Sequence, residues 1–117
     1  IAMDDTADMV KVATRLMEFY QNESCGKCTP CREGTRWVVQ VLNRIEQGGG
    51  TIFDLPTIED VCHSMAANSF CPLAVGAAPP IVSAMMEFKE EFDAYISRNP
   101  KANQKPEMKV SYPYIIK

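Results

Sequence analysis

Apolar residues recur along the first hundred positions with the period of α-helices that face a common core. In residues 4–22 they fall three and four positions apart, which is typical of one amphipathic helix. Asp4, Asp5 and Thr6 are residue types that cap the start of such a helix, and acidic residues suit the positive end of its dipole. The apolar stripe consists of Met9, Val12, Ala13, Leu16, Met17 and Tyr20.

The same spacing predicts three further helices. Thr29 and Pro30 suit the N-cap and first position of a second helix, which ends at glycines 48–50. A third helix starts near Asp54 or Thr57 and stops near Asn68. Residues 69–80 hold three prolines and are predicted to be irregular, so the fourth helix runs over 81–97. The residues expected to face inward are Trp37, Val38, Val41, Leu42 and Ile45 in the second helix, Leu55, Ile58, Cys62 and Met65 in the third, and Ile81, Met85, Phe88, Phe92 and Tyr95 in the fourth.

Four helices with short connections predict an all-α fold, a four-helix bundle, over residues 1–97. Residues 98–117 lack this pattern, and we expect them to form an extended C-terminal tail along a partner or a neighbouring domain. Because the chain opens on Ile1 and not on Met, we also expect more protein upstream.

Composition narrows the class of protein further. Apolar residues make up 46% of the 117 positions and charged residues 23%, as in ordinary globular domains. A net charge of −3 offers no basic surface for nucleic acid, and no apolar run approaches the roughly 20 residues that span a bilayer. We therefore expect no nucleic-acid partner and no direct membrane insertion.

Five cysteines are the main candidates for chemistry. An odd count does not suit a secreted framework of disulfides, and three of the five lie within seven residues. A reducing, intracellular compartment is indicated, in which the thiolates serve as metal ligands.

Cys25, Cys28 and Cys31 have the spacing C-x2-C-x2-C, which lets one short loop present three thiolates to one face of a cube. Bacterial ferredoxins combine the same triplet with a cysteine followed by proline, as Cys71 is here. Cys62 competes for the fourth position, but it lies on the inward face of the third helix, where a free cysteine behaves as a small apolar residue. The sequence thus predicts a [4Fe–4S] cluster on Cys25, Cys28, Cys31 and Cys71, held by two loops at one end of the bundle.

Residues around the triplet suit a negatively charged cluster. Gly26 lets the backbone pass close to the sulfur atoms, and Pro30 begins a helix whose first free N–H groups, near Cys31 and Arg32, are expected to point at the cluster. Together with the charges of Lys27 and Arg32, these donors are expected to stabilise the reduced form.

Two other kinds of cysteine site remain open from the residues alone. Zinc sites use thiolates as well, although two separated C-x2-C pairs are their usual pattern, and the chain would then be a zinc-stapled helical interaction module. A thioredoxin-like redox pair would need a βαβ context that the helical pattern does not offer.

His63 is expected on a helix surface and Trp37 in the core, and we find no catalytic constellation.

By its cysteine segments the chain resembles a known family. The stretch from Glu23 to Gly34, ESCGKCTPCREG, is similar to the cluster loop of the flavoprotein subunit of respiratory NADH:quinone oxidoreductase (complex I; the 51 kDa or F subunit). The stretch from Ser69 to Ala74 resembles the segment that bears that family's fourth ligand. The resemblance covers residues 1–97 and extends to diaphorase subunits of NAD-linked hydrogenases and formate dehydrogenases.

The resemblance implies a C-terminal four-helix domain with one [4Fe–4S] cluster. In such proteins an upstream domain binds FMN and NADH, and electrons pass from the flavin through this cluster to iron–sulfur clusters of partner subunits. The glycine-rich loops for flavin and nucleotide are absent from these 117 residues, so FMN and NADH are expected on the upstream part. The implied location is cytoplasmic, or peripheral on the cytoplasmic or matrix side of the inner membrane.

Overall fold

The structure, a computed structural model, describes residues 2–104. Within this range the chain forms five helices: α1 (Met9–Glu23), α2 (Thr29–Glu46), α3 (Asp54–Asn68), α4 (Pro72–Glu87) and α5 (Lys89–Ser97). Helices α1 to α4 pack in a ring in which each contacts its neighbours in sequence and α1 contacts α4. The all-α bundle predicted from the sequence is confirmed.

A single core fills the space between these helices. The largest buried side chains come from all five helices, so every helix contributes to the core. The largest fully buried apolar side chains are Val10, Met17, Val38, Leu42, Ile45, Ile58, Cys62, Met65, Ile81 and Phe92. Two predicted core residues lie at the surface instead: Trp37 is 52% exposed and Phe88 is 44% exposed.

Helix α1 begins later than predicted. Asp8 is its N-cap and accepts hydrogen bonds from the backbone N–H groups of Val10 (3.0 Å) and Lys11 (3.4 Å). Asp4 instead accepts from the backbone and the hydroxyl of Thr6 outside the helix. The capping prediction was wrong because several acceptor residues stand in a row, and tertiary contacts choose among them: Asp8 also accepts from the hydroxyl of Tyr95 in α5.

The fourth helical segment also differs from the prediction. Helix α4 begins at Pro72 and runs through Pro79 and Pro80, where the sequence predicted an irregular stretch. These prolines cannot donate the helical hydrogen bonds to the carbonyls of Val75 and Gly76, two residues that are exposed to solvent. The small residues Ala74, Ala77 and Ala78 are buried, so close packing holds the helix in place. The helix is interrupted at Phe88, which lies between the end of α4 and the start of α5.

Antiparallel neighbours place both cysteine-bearing connections at one end of the bundle. The α1–α2 and α3–α4 connections lie there, whereas the α2–α3 connection lies at the other end, where Arg44 forms an ion pair with buried Asp54. Residues 98–104 turn back against that second end, since the amide of Ile52 donates to Ala102 O (3.0 Å). Most of the predicted tail, residues 105–117, lies outside the described residues.

Within the described part of the chain, no helix combines the length and apolar character needed to cross a membrane.

Candidate metal centre

The first cysteine loop runs from the end of α1 to the first turn of α2. Cys28 is the N-cap residue of α2 and Pro30 follows within the first two helical positions, so the helix begins one residue earlier than predicted. Cys25 is exposed, Cys28 is half-buried and Cys31 is buried. The three cysteines are therefore progressively more buried from the loop into the first turn of α2.

The second loop repeats this arrangement at the start of α4. Cys71 is the N-cap residue and Pro72 is the first helical residue. Neither helix start has a side-chain capping hydrogen bond from its cysteine. Two of the predicted ligands thus occupy equivalent positions at two helix N-termini, where free N–H groups and the helix dipole favour negative charge.

The two loops meet at Cys28. The nearby backbone amide of Phe70 holds the pKa of the Cys28 thiol below its usual value, and the amide of Cys31 adds to this effect against the opposing cost of desolvation. Because Phe70 directly precedes Cys71, this proximity brings the segment of the predicted fourth ligand against the triplet. The Cys71 side chain itself is exposed.

Gly26 has the one left-handed conformation in this loop, with φ of +75°. Both of its peptide groups are held by side chains. Its N–H donates to Ser24 Oγ (3.4 Å), and its carbonyl accepts from Arg32 Nη1 (2.6 Å). Arg32 also donates to Thr29 Oγ1 (3.1 Å), so its guanidinium braces the loop from the helix side.

Contrary to the expectation from the sequence, the amide of Arg32 does not point at the cluster site. The amide donates to Cys28 O (3.1 Å) as the first bond of the helix. Ser24, which was not predicted to belong to the site, places its hydroxyl 3.2 Å from Cys31 Sγ. A polar residue one position before the triplet was the only signal in the sequence, and it did not reveal this contact.

Cys62 is fully buried in α3, and burial raises the pKa of its thiol to about 11. This confirms the expectation that Cys62 is a core residue. His63, its neighbour, is exposed as expected.

The donor set fits an iron–sulfur cluster. The two loops and the first turn of α2 carry four thiols and no histidine or carboxylate between Ser24 and Cys31 or between Ser69 and Cys71, and cubane clusters take four thiolates. Over residues 2–104, no three Cys, His, Asp or Glu side chains converge closely enough to hold one metal ion.

The matching family model and the similar proteins point to the same protein family. Residues 11–95 match the family model described as the NADH-ubiquinone oxidoreductase-F iron-sulfur binding region. The chain is 50% identical over 96 residues to the F 2 subunit of NADH-quinone oxidoreductase of Rhizobium meliloti, a match that covers 82% of this chain and 23% of that protein. It is 41% identical over 99 residues to the F subunit of NADH-quinone oxidoreductase of Escherichia coli, with 84% and 22% covered. The chain thus spans less than a quarter of the length of these relatives.

A solved structure has the same fold. An NAD+-reducing [NiFe]-hydrogenase in its H2-reduced state superposes with a TM-score of 0.76 and 28% sequence identity, over 90% of this chain and 17% of the hydrogenase chain.

Proposed function

The chain belongs to the family described as the NADH-ubiquinone oxidoreductase-F iron-sulfur binding region, and on this premise we propose that it relays electrons through one [4Fe–4S] cluster bound by Cys25, Cys28, Cys31 and Cys71. The observation that carries the proposal is the position of Cys28 and Cys71, which are the N-cap residues of α2 and α4 at the same end of the bundle.

When bound, the cluster supplies a site that accepts and releases one electron. The residues of this chain hold it and set its surroundings. Two helix N-termini place positive dipole ends beside the thiolates, which offsets the charge of the reduced site. The buried position of Cys31 keeps water from one side, while exposed Cys25 and Cys71 leave another side open to a donor or an acceptor.

The assignment implies partners on both sides of the relay. The relatives are named as subunits of NADH-quinone oxidoreductase. We propose that residues 1–97 form the C-terminal cluster domain of a longer flavoprotein subunit, whose upstream part binds FMN and NADH. Electrons would then leave for iron–sulfur clusters of other subunits, in a complex that lies at the cytoplasmic or matrix face of the inner membrane.

A second candidate within the same chemistry is the diaphorase subunit of an NAD-linked hydrogenase or formate dehydrogenase. The superposition on an NAD+-reducing [NiFe]-hydrogenase supports it. Subunits that co-purify with the full-length protein distinguish the two: hydrogenase or formate dehydrogenase subunits would favour the second candidate.

The ligand assignment is tested by iron and sulfide analysis of anaerobically purified protein. We expect the wild-type chain to hold about four iron and four sulfide, Cys71→Ser to lose most of both, and the matched control Cys62→Ser to retain them. Equal loss in both variants would contradict the choice of Cys71. Zinc without sulfide in the wild-type chain would overturn the electron-relay function and favour a zinc-stapled interaction module.

A further inference from the structure

Ser24 is held in a defined position between α1 and the cysteine loop. It is the C-cap residue of α1, and its backbone N–H donates to Tyr20 O (3.0 Å). Its side chain is half-buried and points back over the loop. The helix end, and not the loop, therefore fixes where the hydroxyl lies.

The Ser24 hydroxyl has two neighbours with different roles. The Gly26 N–H donates to Oγ at 3.4 Å, which uses a lone pair of the oxygen. Cys31 Sγ lies 3.2 Å from the same oxygen. In the free thiol either atom can donate, but a thiolate that ligates iron has no proton. Ser24 is then the donor, and the sulfur of Cys31 is the acceptor.

The environment of Cys31 makes this hydrogen bond effective. Cys31 is 5% exposed and is the one buried member of the four predicted ligands. A donor in a poorly solvated site acts more strongly on a neighbouring charge than it would in water. Arg32, by contrast, directs its guanidinium to Gly26 O and Thr29 Oγ1.

We propose that Ser24 is a positioning residue for the cluster, and that its hydroxyl donates a hydrogen bond to the Cys31 sulfur ligand and raises the reduction potential. This inference rests on the proposed function. Reduction adds one electron, and part of the added charge lies on the cysteine sulfur atoms. A hydrogen-bond donor stabilises the reduced state more than the oxidised state, so its loss lowers the potential. Through the Gly26 amide the same hydroxyl also orders the loop that carries Cys25.

The test compares Ser24→Ala, Ser24→Thr and the wild-type full chain after anaerobic cluster assembly. Thr keeps the hydroxyl, and the extended backbone of Ser24 (φ −63°, ψ 126°) accepts a β-branched residue. Ser83→Ala is the matched control, because Ser83 is exposed on α4 and bonds to Pro80 O in its own helix. Redox titration followed by EPR gives the midpoint potential, and release of iron to a chelator gives cluster stability.

We expect Ser24→Ala to lower the midpoint potential and to speed iron release, whereas Ser24→Thr and Ser83→Ala match the wild type. A wild-type potential in Ser24→Ala would overturn the inference and leave the proposed function intact. If Ser24→Ala takes up no cluster, Ser24→Thr decides: a wild-type cluster and potential support the hydroxyl, and failure of Thr as well overturns it. Absence of iron and sulfide from the wild-type chain would overturn the proposed function and this inference together.

Discussion

Five cysteines of one chemical type have different properties because their surroundings differ. The amide of Phe70 lowers the pKa of Cys28, whereas burial raises the pKa of Cys62 to about 11. A depressed pKa favours the thiolate, which is the form that binds iron, and a raised pKa keeps the protonated form. Spacing along the chain separates ligand candidates from core cysteines, and environment gives each its reactivity.

Cys62 is expected to resist alkylation in the folded, cluster-free chain. Below pH 9 its thiol is protonated in both the folded and the unfolded chain; from pH 9 to about 11 it ionises first in the unfolded chain, so the folded state loses stability across that window. In the folded chain its thiolate fraction at pH 8 is therefore well below that of an ordinary thiol.

Mass spectrometry after iodoacetamide treatment at pH 8 checks this expectation. Exposed Cys25 and Cys71 should be modified readily, and Cys62 should react after the chain is unfolded in denaturant, which serves as the control. Modification of Cys62 at the rate of Cys71 in the folded chain would contradict the buried position.

At the scale of elements, α2 and α3 approach closely beside the cysteine loop. Gly34 lies one turn after Cys31 and is buried. A Cβ added at Gly34 would lie 3.0 Å from Met65 Sδ and 3.2 Å from Met65 Cβ, and Met65 is itself 1% exposed. The absence of a side chain at Gly34 therefore sets the distance between these two helices.

Gly34→Ala is expected to destabilise the fold by about 1–2 kcal/mol, because overpacking against Met65 outweighs the gain in helix propensity. Gly76→Ala is the matched control within α4. Its Cβ would meet only Tyr20 at 3.7–3.8 Å, and the propensity gain of about 1 kcal/mol should make it neutral or stabilising. Chemical denaturation of both variants measures the difference, and equal free energies of unfolding would refute the packing argument.

At the scale of the whole molecule, hydrogen bonds connect segments that are distant in sequence at the end of the bundle opposite the cysteines. The hydroxyl of Tyr95 donates to Asp8 across 87 positions, and Asn99 Nδ2 donates to Gly50 O at 2.8 Å across 49. At the cysteine end, the described residues have fewer polar contacts of this long-range kind, and the amide of Phe70 lies near Cys28 there. A bound cluster would add a covalent link there between the starts of α2 and α4.

Removal of the cluster is therefore expected to lower the melting temperature of the protein. A group that binds only the folded state stabilises it, and each 1 kcal/mol lost corresponds to about 4–8 °C in a domain of this size. Circular dichroism of the anaerobic holo chain before and after chelation measures the change, and Cys71→Ser, which lacks one ligand, should melt with the chelated chain. Identical midpoints before and after chelation would show that the cluster does not link the two loops.

Local pattern alone determined the all-α class, the bounds of α3, the start of α2 to within one residue, the inward position of Cys62 and the cysteine spacing that suits a cluster. Each of these depends on residues within a few turns of one another, which periodicity reports directly. Tertiary structure decided the remaining features, because long-range contacts determine them. Tyr95 reinforces Asp8 as the cap of α1, buried alanines carry α4 through Pro79 and Pro80, Trp37 lies outside the core, and the end of α1 places the Ser24 hydroxyl beside the sulfur of Cys31.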